Sequence, residues 1–140
     1  MNRVLFSSKK MDWETPQYLF DELNKEFNFT CDIAASPENA KVKFFISKDT
    51  NALRQHWSGL CWCNPPYGRE IGLWVKKAHE EALKGVTTAM LIPARTDTAY
   101  FHDYIYGKYE VRFLKGRLKF SDSKNAAPFP SMVVIFKEAK

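Results

Sequence analysis

The spacing of apolar residues changes period several times along this 140-residue chain. Leu19, Phe20, Leu23 and Phe27 recur at helical intervals, so the pattern predicts a helix over residues 16–27. Thr15 is placed to be its N-cap and Pro16 its first residue, with Asn28 closing it. Residues 29–34 read as a short strand ending near Ala35. Ser36-Pro37-Glu38-Asn39 is either a turn or a helix start, residues 42–46 suit a second strand, and 49–51 a polar turn. Leu60-Cys61-Trp62-Cys63 is a continuous apolar run, as expected of a buried parallel strand, and it stops at Asn64-Pro65-Pro66-Tyr67-Gly68. A second helix follows over 70–84, with Ile71, Trp74, Val75, Ala78 and Ala82 on one face and Gly85 as its stop. Residues 86–92 form the clearest strand. Residues 98–106 read as a short helix ended by Gly107, and 109–114, 118–120 and 132–136 as three more strands. Gly116 turns the first two of these into a hairpin. Strands alternating with helices, then a β-rich end, predict an α/β layered sheet in one domain, 1–140, with residues 1–10 as a flexible arm. Ligands in such sheets bind at the carboxyl ends of strands, where the pattern puts Asp32, Asn64 and Pro93.

Composition narrows the class. A chain with 45% hydrophobic and 15% aromatic residues has the material for a core, which excludes a disordered segment. No apolar run approaches the ~18 residues of a membrane helix, and the start is too weakly apolar for a signal peptide. Three cysteines, Cys31, Cys61 and Cys63, lie in strand-like surroundings and fit buried free thiols in a reducing cytoplasm. The Cys-Trp-Cys spacing is not a zinc pattern, so no metal is expected. Charge is unevenly placed. The net charge of +5 falls wholly in the last 33 residues, where eight Lys and Arg face three Asp and Glu. A basic segment on a neutral body suits either a polyanion such as nucleic acid or a merely solvated face.

The sharpest chemical signal is Asn64-Pro65-Pro66-Tyr67. Two consecutive prolines cannot donate ladder hydrogen bonds, so the strand ends in a rigid, extended loop. That loop presents an amide, a backbone carbonyl and an aromatic ring in fixed order. An exocyclic amine such as adenine N6 is a poor nucleophile because its lone pair is delocalised into the ring. The Asn64 oxygen and the Pro65 carbonyl can accept both N6 hydrogens, and Tyr67 can stack on a base flipped out of its helix. Direct transfer from a sulfonium methyl then needs neither a nucleophilic cysteine nor a metal. The bland reading of the same four residues is a proline-stiffened turn. Arg95, in the loop after the clearest strand, suits a phosphate or base-pocket contact, with a surface ion pair to Asp97 as the alternative. Lys115, Arg117 and Lys119 alternate along the expected hairpin and can share one face against a DNA backbone. Phe120, Phe129, Trp57, Trp62 and Trp74 suit the core. His56, His79 and His102 receive no role.

Over about residues 11–136 the chain resembles the small, phage-type DNA N6-adenine methyltransferases, the Dam-like family. The matching segments, in order, are Asp12-Trp13-Glu14-Thr15-Pro16, residues 31–41 from Cys31-Asp32 to Ala40-Lys41, and Trp62-Cys63-Asn64-Pro65-Pro66-Tyr67-Gly68. They continue with Ile92-Pro93-Ala94-Arg95-Thr96-Asp97-Thr98, Gly116-Arg117-Leu118-Lys119-Phe120 and Ala127-Pro128-Phe129-Pro130-Ser131-Met132. The resemblance implies a compact Rossmann-like domain that uses S-adenosylmethionine to methylate adenine N6 in DNA, in the cytoplasm of a bacterial host, marking or protecting DNA against restriction. By the resemblance, Asn64, Pro65, Pro66 and Tyr67 are catalytic. Thr15 and Pro16 correspond to a motif at the methionine end of the cofactor. Asp32 closes the first strand and meets the methionine ammonium, Ala34 lies beside it, and Asp49 reaches the adenosine end. One departure stands out. No glycine follows Asp32 in Ile33-Ala34-Ala35-Ser36-Pro37, and only 32 residues separate Asp32 from Asn64. Ordinary methyltransferases place about two further βα units there, of ~30 residues each. The adenosine-binding half is therefore expected to be reduced. Three alternatives remain open: an RNA adenine, a protein glutamine, or a non-catalytic DNA-binding relic of the fold.

Overall fold

The computed structural model describes residues 13–47, 51–121 and 124–138. The expected arm and Asp49 lie outside them. The elements run α1 (Gln17–Phe27), β1 (Cys31–Ala35), β2 (Phe45–Ser47), β3 (Leu60–Cys63), α2 (Ile71–Ala82), β4 (Thr87–Pro93), β5 (Glu110–Phe113) and β6 (Ser131–Phe136). A 3-10 turn at Ala52–Arg54 and a π-helical turn at Phe101–Ile105 complete them.

The strands form one mixed sheet in the order β2-β1-β3-β4-β6-β5. The first four are parallel, and β6 runs antiparallel to both β4 and β5. β3 and β4 occupy the centre because their residues are apolar on both faces, as parallel strands buried on both sides require. Trp62 of β3 meets Phe20 of α1 edge-on at 5.8 Å, so α1 covers that face, while alternation sends Cys61 and Cys63 to the other. All three cysteines are buried thiols. Because β6 is antiparallel, its first residue, Ser131, pairs with the last of β4, Pro93. One edge of the sheet therefore collects the ends of β3 and β4 and the start of β6.

α2 is tied to the loop before β3 by one carboxylate. Glu81, 1% exposed, accepts from the Trp57 backbone N–H at 2.8 Å and from Lys77 and Lys84 at 3.2 and 3.4 Å. Burial pushes this carboxyl up, but the Trp57 amide and the two ammonium groups pull harder and leave it below the usual carboxylate range.

Several expectations shift. Pro16, extended at ψ 133°, is the N-cap rather than the first helical residue, and no side chain caps α1, because the Thr15 hydroxyl bonds elsewhere. Asn28, left-handed at φ 56°, closes the helix as expected, donating to Asn24 O at 2.8 Å. Ser36-Pro37-Glu38-Asn39 is a turn, held by the Asn39 side chain accepting from Ser36 N at 2.8 Å. The second strand is shorter and later than 42–46. The helix expected over 98–106 is shorter and widens into the π-helical turn, with Tyr106 N bonded to Phe101 O, five residues back, at 2.7 Å. Residues 118–120 are not a strand, and the hairpin at Gly116 does not form. β5 pairs with β6 instead. Leu118 and Phe120 turn inward to an aromatic cluster, where Phe120 sits 5.2 Å from Trp13. The backbone of this segment is satisfied by loops: Ser121 N donates to Glu14 O, and Ala127 N to Leu118 O.

Candidate functional site

Asn64 follows β3 directly, on the loop whose two prolines keep it extended. Its Nδ2 donates to the Trp13 carbonyl and to the Thr15 hydroxyl, the latter at 2.9 Å. With both amide hydrogens used, the side chain's orientation is determined, because a carbonyl can only accept. The Asn64 Oδ1 is buried without a hydrogen-bond partner among the described residues. Native structures rarely leave such an acceptor unmade, so an unpaired one calls for an explanation, and a ligand is one.

Tyr67 is held differently from expectation. Its ring is 6% exposed, its hydroxyl donates to Leu91 O at 3.0 Å, and burial pushes that hydroxyl well above its usual range. Phe129 and Phe120 meet the ring edge-on at 5.7 and 6.4 Å. As placed, Tyr67 is a wall of the aromatic cluster and offers a base no open face. Pro65 is buried and Pro66 half-buried.

The residues assigned to the cofactor fall into two groups. Thr15 and Pro16 are brought to Asn64, though Thr15 spends its hydroxyl on the Asn64 amide. Asp32 is the second residue of β1 rather than its last, because the ladder with β2 continues through Ile33 to Ala35, which pairs with Ser47. Asp32 is 4% exposed, and its carboxylate accepts from the Lys41 backbone N–H at 2.7 Å. Burial raises its pKa to about 6, against the smaller opposing pull of that amide and the Lys41 charge. A buried carboxyl so poorly compensated fits a cationic group, as the ammonium of S-adenosylmethionine is. Ala34 stands at φ 69°, where the β1–β2 register shifts. It adopts the left-handed backbone that a glycine loop would otherwise supply, at a cost of about 1 kcal/mol. Asp49 lies outside the described residues.

The basic side chains separate as well. Lys115, Arg117 and Lys119 are exposed while Leu118 and Phe120 are buried, so the alternation expected of a strand survives without the strand. Arg95 is exposed in the loop after β4, with no ion pair to Asp97 among the described residues. Arg112 is not available to a polyanion. It makes a bidentate pair with Glu26 of α1 at 2.7 Å and a third bond to Glu110. The histidines are occupied locally: His79 with the Tyr109 hydroxyl at 2.8 Å, His102 with Thr96 O at 2.8 Å, and His56 3.9 Å from Glu81. Periodicity carried no signal for the Trp13 carbonyl, since a backbone acceptor has no residue signature. The conjunction Trp13-Glu14-Thr15-Pro16 was its only trace in the sequence.

No helix among the described residues is long and apolar enough to cross a membrane. Residues 4–140 match the family described as "DNA N-6-adenine-methyltransferase (Dam)". A protein of Haemophilus phage HP1 (strain HP1c1) named "DNA N-6-adenine-methyltransferase" is 29% identical over 143 residues, covering 94% of this chain and 83% of that protein. A protein of Escherichia phage T1 with the same name is 33% identical over 109 residues. That match covers 76% of this chain but only 45% of the T1 protein.

Proposed function

The chain belongs to the DNA N-6-adenine-methyltransferase (Dam) family, an adenine-N6-specific DNA methyltransferase, and on that premise we propose that it acts on a flipped-out adenine through Asn64-Pro65-Pro66-Tyr67. The observation that carries this reading is the buried, unpartnered Oδ1 of Asn64 beside two acceptors that consume its Nδ2. Oδ1 and the Pro65 carbonyl accept the two N6 hydrogens. They hold the amine in place and draw its lone pair out of the ring toward the incoming methyl. When bound, S-adenosylmethionine supplies that methyl as an activated sulfonium group. Asp32 holds the cofactor's ammonium, Ala34 turns the chain past it, and Pro16 fixes the approach of α1. Pro66 keeps the loop rigid, so Asn64 meets the base pre-oriented. Stacking on Tyr67 requires the base to displace the Phe120 and Phe129 edges beside the ring, and is worth about 1–3 kcal/mol.

The domain is read as a reduced Rossmann-like methyltransferase spanning 1–140. Among the described residues, β2 and a 3-10 turn stand between β1 and β3, where ordinary methyltransferases carry two βα units. Arg95, Lys115, Arg117 and Lys119 contact the DNA backbone. The enzyme works in the cytoplasm of a bacterial host, where such methylation protects DNA against restriction.

Asn64→Ala is expected to abolish methyl transfer to DNA while leaving cofactor affinity, by calorimetry, nearly unchanged. Wild-type transfer by the purified variant would sink the assignment.

A further inference from the structure

We infer that Trp13 and Thr15 are positioning residues that select an amide at residue 64 and set its strength as an acceptor, so that the segment before α1 is part of the catalytic device. The inference rests on the adenine-N6 reading of Asn64. The Trp13 carbonyl can only accept, so whichever Asn64 atom faces it must carry hydrogen. Thr15, itself buried, offers its hydroxyl oxygen to the second Nδ2 hydrogen at 2.9 Å. Two consequences follow. The carboxamide has one orientation, with Oδ1 turned to the site. Donating both hydrogens also shifts electron density toward Oδ1, because hydrogen bonds in a chain polarise one another. Asn64 Oδ1 thus becomes a somewhat stronger acceptor without carrying a buried charge.

Thr15 is itself held in place. Its carbonyl accepts from the Ser121 hydroxyl at 3.1 Å, and Ser121 N donates to the Glu14 carbonyl at 3.0 Å. The acceptors for Asn64 therefore stand on a strip of backbone anchored from the far end of the chain. A carboxylate at 64 would fail on this strip, since an oxygen would face the Trp13 carbonyl with no proton between them.

The test uses the full-length protein with methyl transfer to DNA, and calorimetry for cofactor and DNA binding. Thr15→Val keeps the shape but removes the acceptor. It is expected to lower kcat by about 5- to 10-fold, the loss of one ordinary hydrogen bond, with cofactor and DNA affinities within about twofold. Thr15→Ser restores the hydroxyl and is expected to return kcat to within about twofold. Asn64→Asp, nearly isosteric, is expected to lose at least about 100-fold in kcat. It also serves if Thr15→Val does not fold, which thermal melting reports. Weakened cofactor binding in Thr15→Val with unchanged kcat would make Thr15 a cofactor contact and overturn the proposal. So would wild-type kcat in Thr15→Val or in Asn64→Asp. A fully active Asn64→Ala would instead remove the adenine-N6 reading of Asn64 itself, which is a separate failure.

Discussion

At the scale of single residues, Asp32 carries a measurable contradiction. Its carboxyl titrates at about 6 in the fold against 3.8 in a free chain, because burial disfavours its charge. Between those values the folded protein holds the proton more tightly, so ionising Asp32 destabilises it. The favourable state is fully present below about pH 4 and lost as pH rises through 6, a change of about 3 kcal/mol at 1.36 kcal/mol per unit. Urea unfolding without cofactor at pH 4, 5, 6 and 7 is expected to show that decline, and Asp32→Asn to remove it. The same variant is expected to weaken S-adenosylmethionine binding by at least about tenfold, since it removes a charge-assisted contact. If Asp32→Asn bound cofactor like wild type, the ammonium would be held elsewhere. At this scale the sequence was informative about identity but not about pairing. Asn64 was legible from its two prolines. That Thr15 serves Asn64 rather than capping α1 was not, because the contact joins residues 49 apart and no local pattern encodes it.

Secondary-structure elements held where burial and period agreed and moved where a tertiary partner competed. β3 and β4 were legible because a run of apolar residues is what two covered faces need. Residues 118–120 have strand-like alternation, yet the β6 edge took β5, and Phe120 gained more by packing on Trp13 than by extending a ladder. Alternation alone could not distinguish an extended segment held by side chains from a strand held by hydrogen bonds. Glu81 ties α2 to the chain before β3, and its role was invisible for the same reason: Trp57 lies 24 residues away. Glu81→Ala removes the carboxylate that pairs the buried Lys77 ammonium and accepts from the Trp57 amide, and is expected to cost about 3 kcal/mol in urea unfolding. A loss below about 1 kcal/mol would show that water replaces the carboxylate. Because Glu81 lies below its free value of 4.5, its contribution is present above pH 4.5 and fades as pH falls further. Asp32 and Glu81 thus act in opposite directions. Considering these two groups, the cofactor-free protein is expected to be most stable near about pH 4 to 4.5, and to lose stability on either side.

For the whole molecule, the uneven charge was visible at once but its free portion was not. Arg112 belongs to the basic end by count, yet Glu26 and Glu110 neutralise it. Lys115, Arg117 and Lys119 remain exposed on one extended segment. Replacing all three with Ala is expected to weaken DNA binding and lower the slope of log affinity against log salt by up to about 0.9 per lost contact. Cofactor affinity should be unchanged, and a salt slope equal to wild type would place the DNA on another face. The bonds that build the site also span the chain. Asn64 reaches back 49 residues to Thr15, Ser121 reaches back 106 to the same residue, and Arg112 reaches 86 to Glu26. Contacts this distant in sequence form late, because the loop they close must be ordered first. A growing chain on the ribosome can therefore complete β1 and β3 long before Asn64 has a fixed orientation. Synthesis itself sets the order: the strip that orients Asn64 gains its anchor only once Ser121 has emerged to bond Glu14 and Thr15.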